Sequence, residues 1–470
     1  MADWKLKLFH AMPVFLRSLI ASGHGYTLRS WRYGGETAAL IEEYLERETW
    51  NKDKWKTWQE ERLAYILHRA ATQVGYYRDQ WDQRRRQGDR ASVEILENWP
   101  ILSKEAVRSA PTQFVADDCD IRKMYNEHTS GTTGKSLDLW WSHETVKRWY
   151  ALFEARWRRW YGVSRHDRWA ILGGQLVTPV TQRRPPFWVW NAGLNQLYMS
   201  SYHLAPDLIP AYLEALKEYN IIYLWGYTSA LYMLAIETLR LKRTDIQMKV
   251  AITNAEPVND YQREAIAAAF HCPVRETYGM SELVGAASEC QDGHLHIWPE
   301  VGILEVMQDN VHVPANTTGD LIGSGLFNED MPLIRYRVGD RGSVDQSNNM
   351  CSCGRTLPLL HSVEGRIDDV LYTIDGRQIG RLDPIFKANL PVIEAQIIQE
   401  SLSQIIVRFV PAPEYQQKDG ESIIERLKER MGDIQVTLDP VSKLPIEHNG
   451  KFRAVISKIK PPVNLSEIQN

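Results

Sequence analysis

Apolar residues recur at three- and four-residue spacing through 36–48 and 60–77, with strong helix formers between them, so the first hundred residues are predicted to be mostly helical. Ser103, directly ahead of Lys104 and Glu105, has the chemistry to cap a short helix. The stretches 123–127 and 137–141 flank a run of small polar residues, and 137–141 alternates with the period of a strand, which predicts a hairpin. A helix is expected over 146–159, then a buried strand over 169–172 that stops at Gly173 and Gly174. Residues 178–202 are rich in proline and aromatics. Beyond them the pattern becomes rhythmic: helix 206–219, strand 221–225, helix 229–241, strand 250–253, helix 257–270, strand 274–276. Strands alternating with helices imply parallel pairing, and ligands in such sheets sit at the carboxyl ends of the strands. From 298 the texture is β, with short strands expected at 302–307, 319–322 and 333–336. A compact tail over 370–459 has the texture βαβ plus a helix. The fold class expected is therefore α/β: a large domain over 1–365, with mixed sheets and flanking helices, followed by a small α+β domain over 366–470.

Composition narrows the functional classes. The chain has 470 residues, more than one compact core usually holds, and a net charge of −4 with no long basic block, which argues against nucleic acid as a partner. Seventeen Trp and 21 Tyr are its one unusual feature, and clusters such as 157–169 are read as core packing. No apolar run reaches the roughly 18–20 residues of a membrane span and no signal-peptide core fits the amino end, so a cytoplasmic protein is expected. The basic and apolar stretch 4–21 fits a packed helix, or a helix resting on a membrane surface or on a partner.

Chemistry concentrates in two places. His128-Thr129-Ser130-Gly131-Thr132-Thr133-Gly134-Lys135-Ser136 crowds hydroxyls and glycines ahead of a lysine, the makings of a phosphate grip for a nucleoside triphosphate. It is not a Walker loop, because Thr129 stands where that loop needs glycine. The second place is cysteine-rich. Cys351-Ser352-Cys353 lies downstream of Cys290, His294 and His296, thiolates and imidazoles in a combination that holds zinc in closed sites. Cys290, His296, Cys351 and Cys353 are the expected ligands, with His294 competing and unligated thiols the alternative.

Four separated motifs resemble, in order and spacing, those of the adenylate-forming enzymes: acyl-CoA synthetases, adenylation domains and luciferases. They are Thr129 to Lys135; Tyr278-Gly279-Met280-Ser281-Glu282; Tyr336-Arg337-Val338-Gly339-Asp340 together with Gly365-Arg366-Ile367-Asp368-Asp369; and Leu444-Pro445 through Lys451. The string Cys351 to Pro358, and the serine in the second motif, resemble the phenylacetate–CoA ligase branch. Residues 185–203 are similar to members from capsule and exopolysaccharide gene clusters. Two residues depart from the common pattern: Ser136 stands where relatives usually carry proline, and Ser281 where threonine is common outside this branch.

What the resemblance implies is residue-specific. Thr129 to Lys135 would hold the β- and γ-phosphates of ATP, Glu282 would help place Mg²⁺, and Tyr278 would lie against adenine. Gly279, Met280, Ser281 and Glu256 complete the nucleotide set. Asp340 would accept the ribose hydroxyls with Arg366 assisting. Lys451 would reach in from a mobile small domain that turns about Asp368, and bridge the substrate carboxylate and the α-phosphate. The acyl pocket is expected from the middle of the large domain, with Trp188, Trp190, Tyr227 and Asn254 as its candidates. The activity implied is ATP-dependent activation of a carboxylic acid to an acyl-adenylate, then acyl transfer to coenzyme A. An amine acceptor, as in an amide synthetase of polysaccharide biosynthesis, is the alternative, and a non-catalytic nucleotide-binding relative is a third. A homodimer is the default for the branch.

Overall fold

The computed structural model describes residues 3–128, 137–314, 316–345, 351–364, 371–379, 382, 385, 390–442, 444 and 454–459. The amino-terminal region is helical as expected, through Asp3–Ala11, Val14–Arg32, Thr37–Arg47, Lys52–Gln73 and Gly75–Arg86. Helix Lys52–Gln73 starts where the Asn51 side chain accepts from the Lys54 N–H at 2.8 Å. It turns Trp55, Ile66, Leu67 and Ala70 inward, positions 11, 12 and 15 residues on from the first and so within one helical stripe. It stops at Val74, which adopts extended backbone and bridges Ala116, so the single helix expected over 60–77 is two. Ser103 does cap the short helix Lys104–Ser109, accepting from the Ala106 N–H at 3.2 Å.

The rhythmic segment forms the parallel half of a 13-stranded sheet. Its strands lie in the order Gln196–Ser200, Trp169–Gly173, Tyr223–Tyr227, Ala251–Asn254 and Val274–Gly279, all parallel. Trp188–Asn191 adds antiparallel at the outer edge. From Val274–Gly279 the sheet continues antiparallel through Ala286–Glu289, Leu295–Ile297, Leu359–Glu364, Tyr336–Asp345, Gly319–Gly325, Gly302–Gln308 and Val311–His312. The expected strand at 333–336 proves to be a turn into the strand that opens at Tyr336. There Arg335 takes a left-handed φ of 48°, and its guanidinium is fixed by both Glu305 carboxylate oxygens, at 3.1 and 3.0 Å.

Helices cover both faces of the parallel half. Ile209–Glu218, Thr228–Arg240 and Asp260–Phe270 pack on one face over Leu197, Leu224 and Ala251; His143–Trp157 packs on the other over Trp225 and Ile252. The tail is a four-stranded sheet, Gln435–Pro440, Gln404–Pro411, Val392–Ser401 and Val455–Ser457, with one described helix, Gln417–Met431, linking two parallel neighbours. It rests on the proline-rich segment of the large domain: Arg377 donates to the Tyr202 carbonyl, and Arg183 pairs with Asp375 at 2.6 Å. The expected boundary at 366 lies outside the described residues.

Candidate active site and cysteine cluster

The phosphate-grip residues Thr129 to Lys135 lie outside the described residues, as do Arg366, Asp368 and Lys451. The strands on either side of the grip are described. Tyr125–His128 pairs antiparallel with Asp138–Trp141, His128 opposite Asp138, so the loop spans the open end of a hairpin as expected. At that end the His128 Nδ1 stands 2.7 Å from Asp138 Oδ1.

The remaining motif residues meet at the carboxyl end of Val274–Gly279, where the parallel half of the sheet gives way to the antiparallel half. Tyr278 donates its hydroxyl to Asp340 Oδ2 at 3.1 Å, joining two motifs 62 residues apart. Burial pushes the Tyr278 phenol well above its ordinary range, and the Asp340 carboxylate adds to the push. Glu282 is buried; its Oε1 accepts from the Tyr336 hydroxyl at 2.9 Å and lies 3.4 Å from Lys104 Nζ. Oε2 has no partner among the described residues, so one carboxylate oxygen is held while the other is available, a donor set suited to a hard cation such as Mg²⁺. Tyr227 and Asn254 are ladder partners at the ends of adjacent parallel strands, and the Asn254 Oδ1 is buried with no hydrogen-bond partner among the described residues. A buried orphan acceptor of this kind fits a ligand amino group. Glu256 is committed differently. Its carboxylate accepts from the Ser229 N–H at 2.7 Å and the Ser229 hydroxyl at 3.1 Å, at the amino end of helix Thr228–Arg240, where the helix dipole favours an anion.

Between this strand end and the phosphate hairpin opens a cavity of about 250 Å³. Gly279, Met280 and Ser281 form one wall, Tyr125, Glu127 and Trp141 of the hairpin another, and Trp149, Tyr150 and Trp157 of helix His143–Trp157 the floor. Trp31 and Arg32, from the last turn of helix Val14–Arg32, close it, with Arg32 stacked on the Tyr150 ring at 4.2 Å. Trp157 is pinned by its indole N–H, which donates to the Ala287 carbonyl at 3.0 Å. Its ring lies so close to Gly279 that a Cβ there would meet it at 3.0 Å and the indole would have to shift by a few tenths of an ångström.

None of Trp188, Trp190, Tyr227 and Asn254 lines this cavity. Trp188 sits at the sheet edge, level with Gly226 but three strands from the Tyr227 end, and packs edge-on against Tyr212 at 5.8 Å in the core of the opposite face. Of the aromatics that do line it, Trp157 was read as packing and Trp141, Trp149 and Tyr150 had no pocket role in the sequence, because Trp and Tyr use the same apolar body for a core and for a pocket. Their place directly after the phosphate loop was the signal available. Glu276 was missed as well: opposite Thr253 at the same strand end, it is pushed up to about 7 by burial and by the neighbouring Glu289 carboxylate, with Arg263 opposing.

The cysteines converge. One ligand atom each from Cys290, His296, Cys351 and Cys353 lies within 4.8 Å of the others. The Cys290 and Cys351 sulfurs are 3.9 Å apart, and Cys353 Sγ is 3.3 Å from His296 Nε2, against edges of about 3.8 and 3.6 Å in a tetrahedral zinc site. The other ring nitrogen of His296 donates to the Leu357 carbonyl at 3.1 Å, which orients Nε2 inward, and burial holds the ring's pKa down, to about 4. Burial raises the Cys290 thiol to about 11; at Cys353 burial is outweighed by hydrogen bonds from the Arg355 backbone and guanidinium. His294, the competing ligand, lies outside the quartet with Nδ1 3.4 Å from Cys351 Sγ. The cluster docks on the helical layer, since Arg355 reaches Glu48 Oε2 at 3.0 Å and the Thr356 hydroxyl donates to the Glu48 carbonyl at 3.0 Å.

The profile of the AMP-binding enzyme family matches residues 55–323, more than half of the chain. The chain belongs to the AMP-binding enzyme family. The CapK C-terminal domain profile matches residues 371–458. Protein CapK of Staphylococcus aureus is 25% identical over 96% of this chain and 99% of its own length. A phenylacetate–coenzyme A ligase of Thermus thermophilus is 24% identical, over 87% of this chain and 98% of that protein. Among solved structures, a 2-hydroxyisobutyryl-CoA ligase in complex with 2-HIB-AMP and CoA has the same fold, with a TM-score of 0.54 and 19% identity over 87% of this chain and 91% of that one. This AMP-binding enzyme is thus an AMP-forming ligase of the adenylate-forming superfamily, a CapK-like member of the phenylacetate–CoA ligase branch. Among the described residues no helix is long and apolar enough to cross a membrane.

Proposed function

We propose that this ligase activates a small, flat carboxylic acid held in the aromatic cavity and passes the acyl group to the thiol of coenzyme A. The observation that carries the reading is the position of the cavity. It opens between the hairpin that leads into the phosphate loop and the turn Gly279 to Ser281, one residue ahead of Glu282. An acid lying on Trp149 and Tyr150 would sit beside the strands Tyr125–His128 and Asp138–Trp141 that flank the expected phosphate grip. The cavity's volume is slightly below the roughly 300 Å³ at which ordinary ligand pockets begin, which favours a small acid.

In the first step a carboxylate oxygen bonds to the α-phosphorus, the bond to the β-phosphate bridging oxygen breaks, and pyrophosphate leaves. Two anions must meet, so positive charge is required where negative charge builds up. Lys451 is the residue assigned to neutralise it, and Glu282 would hold a Mg²⁺ ion, which when bound would add Lewis-acid stabilisation. Tyr278 and Asp340, already hydrogen-bonded to each other, hold the adenosine side, with Asn254 offering its unpaired oxygen. In the second step the acceptor sulfur attacks the acyl carbon and the carbon–oxygen bond to AMP breaks. The CoA ligases among its relatives favour the thiol. The test is to let the protein form acyl-adenylate with ATP and a panel of acids, and then add CoA, amino sugars or hydroxylamine. A thioester is expected; a hydroxamate without any thioester would transfer the assignment to an amine acceptor.

We also infer that Cys290, His296, Cys351 and Cys353 hold one structural zinc ion that fastens the 351–353 loop to the 290–296 turn. Protein purified without chelator is expected to contain about one zinc per chain. Cys353→Ser should lose the metal and unfold at lower temperature, by several degrees. Zinc well below one per chain by elemental analysis, with unchanged thermal unfolding in Cys353→Ser, contradicts the assignment.

A further inference from the structure

The first two helices expose an unusual share of large apolar side chains. Among the described residues 15 large hydrophobic side chains are exposed, and seven of them, Trp4, Leu8, Phe15, Leu16, Leu19, Ile20 and Tyr26, fall within the first 26 positions. Over residues 17–25, ahead of the turn where Leu28 and Trp31 pack on the cavity, helix Val14–Arg32 meets the rest of the protein with small and polar residues. Ser18 Oγ accepts from the Trp190 N–H at 3.2 Å, Ser22 Oγ accepts from the Ala192 N–H at 3.0 Å, and Arg17 donates to the Val177 carbonyl at 3.0 Å. Gly25 lies so tightly on Asn191 that a Cβ would overlap its side chain. These contacts fasten the helix along the edge strand Trp188–Asn191, and Phe15, Leu19 and Tyr26, four and seven residues apart, form the opposite, outward stripe. A surface helix of a globular protein ordinarily has the reverse arrangement, apolar residues inward and polar residues outward. Trp4 and Leu8, four apart on the preceding helix, extend the exposed apolar surface.

Charge selects what covers this face. Helices Asp3–Ala11 and Val14–Arg32 carry Lys5, Lys7, Arg17, Arg29 and Arg32 against Asp3, a charge of +4 (5 − 1) in a chain of net −4, so the other residues sum to −8 (−4 − 4). Arg17 is buried, Arg32 stacks on Tyr150 and Lys7 pairs with Glu425 at 3.0 Å, which leaves Lys5 and Arg29 as the uncommitted cations of the face among the described residues. A second copy of the chain docked face to face would oppose like charges. An anionic lipid surface meets both demands, because its acyl boundary accepts Phe, Leu, Ile and Trp while its headgroups attract Lys and Arg. We propose that helices Asp3–Ala11 and Val14–Arg32 dock the enzyme onto an anionic bilayer surface, lying in the interface without spanning it. The proposal is independent of the reaction assigned to the active site. Trp31 and Arg32, at the end of the docking helix, line the cavity, so the surface that meets lipid and the wall of the pocket belong to one element.

The test uses the full-length protein and sedimentation with vesicles of phosphatidylcholine, with and without phosphatidylglycerol, at low and high salt. Binding is expected on the anionic vesicles, weakening as salt rises. The double variant Phe15→Ser, Leu19→Ser should reduce it by at least about tenfold with thermal unfolding unchanged, since both side chains are exposed. Lys5→Glu should weaken binding and reduce its salt dependence. Three results would overturn the proposal: no binding to anionic vesicles at low salt, binding that the double variant leaves intact, or a dimer in solution that the double variant converts to monomer. The last would make a second copy the occupant of the face.

Discussion

Lys451→Ala is expected to slow acyl-adenylate formation by about 10²–10³-fold while leaving acyl transfer from a supplied acyl-adenylate within a few-fold of wild type. The asymmetry follows from charge. The first step brings a carboxylate against a triphosphate and needs a cation at the point of attack, whereas the second expels AMP from a mixed anhydride already formed. Lys451 lies outside the described residues, four positions ahead of strand Val455–Ser457, which pairs parallel with Val392–Ser401 in the small-domain sheet. Measuring pyrophosphate release and thioester formation separately checks the expectation. An equal loss in both steps would show that Lys451 serves general binding or folding instead.

Glu282→Gln is the second large effect. The amide keeps the shape of the side chain and can still accept from the Tyr336 hydroxyl, but it removes the charge beside Lys104 and at the available oxygen. A hard divalent cation binds an amide oxygen far more weakly than a carboxylate, so the variant should lose about 10²-fold in pyrophosphate release at moderate Mg²⁺ and recover part of it at high Mg²⁺. Because Lys104 remains partly exposed, the fold should survive, and thermal unfolding serves as the control. An unchanged Mg²⁺ dependence in folded Glu282→Gln would remove Glu282 from the metal site.

The parts of this architecture legible in the sequence are those where one local signal had one cause. Strands such as Tyr223–Tyr227 and Ala251–Asn254 are buried on both faces, so they read as apolar runs between helices. The phosphate hairpin was recognisable from alternation after the glycine-rich loop, and the cysteine quartet from spacing alone. His296 was the expected ligand with His294 competing, and the geometry separates them: His296 lies in strand Leu295–Ile297, where the Leu357 carbonyl orients its ring. Strands Trp188–Asn191 and Gln196–Ser200 were hidden, because their segment carries Pro185, Pro186 and aromatics on both faces, which erases the period of two. The cavity proposed for the acid is lined by none of the residues expected for it, for a related reason. Trp149 and Trp157 pack against Trp298 and also line the cavity, and only the fold tells the two uses apart. The tail was read as βαβ plus a helix; the described residues have a two-stranded hairpin, Leu371–Tyr372 with Gln378–Ile379, and then a four-stranded sheet with two strands before helix Gln417–Met431 and two after it, a pairing set by contacts distant in sequence.

The account stands on acid-dependent chemistry at the α-phosphorus, and exchange of labelled pyrophosphate into ATP reports that step without any acceptor. With Mg²⁺ and a panel of small carboxylic acids, exchange should rise well above background for a subset of flat or aromatic acids and fall when Trp149 is replaced by alanine. Protein that binds ATP yet catalyses no exchange with any acid would contradict the account and leave a nucleotide-binding relative without ligase activity.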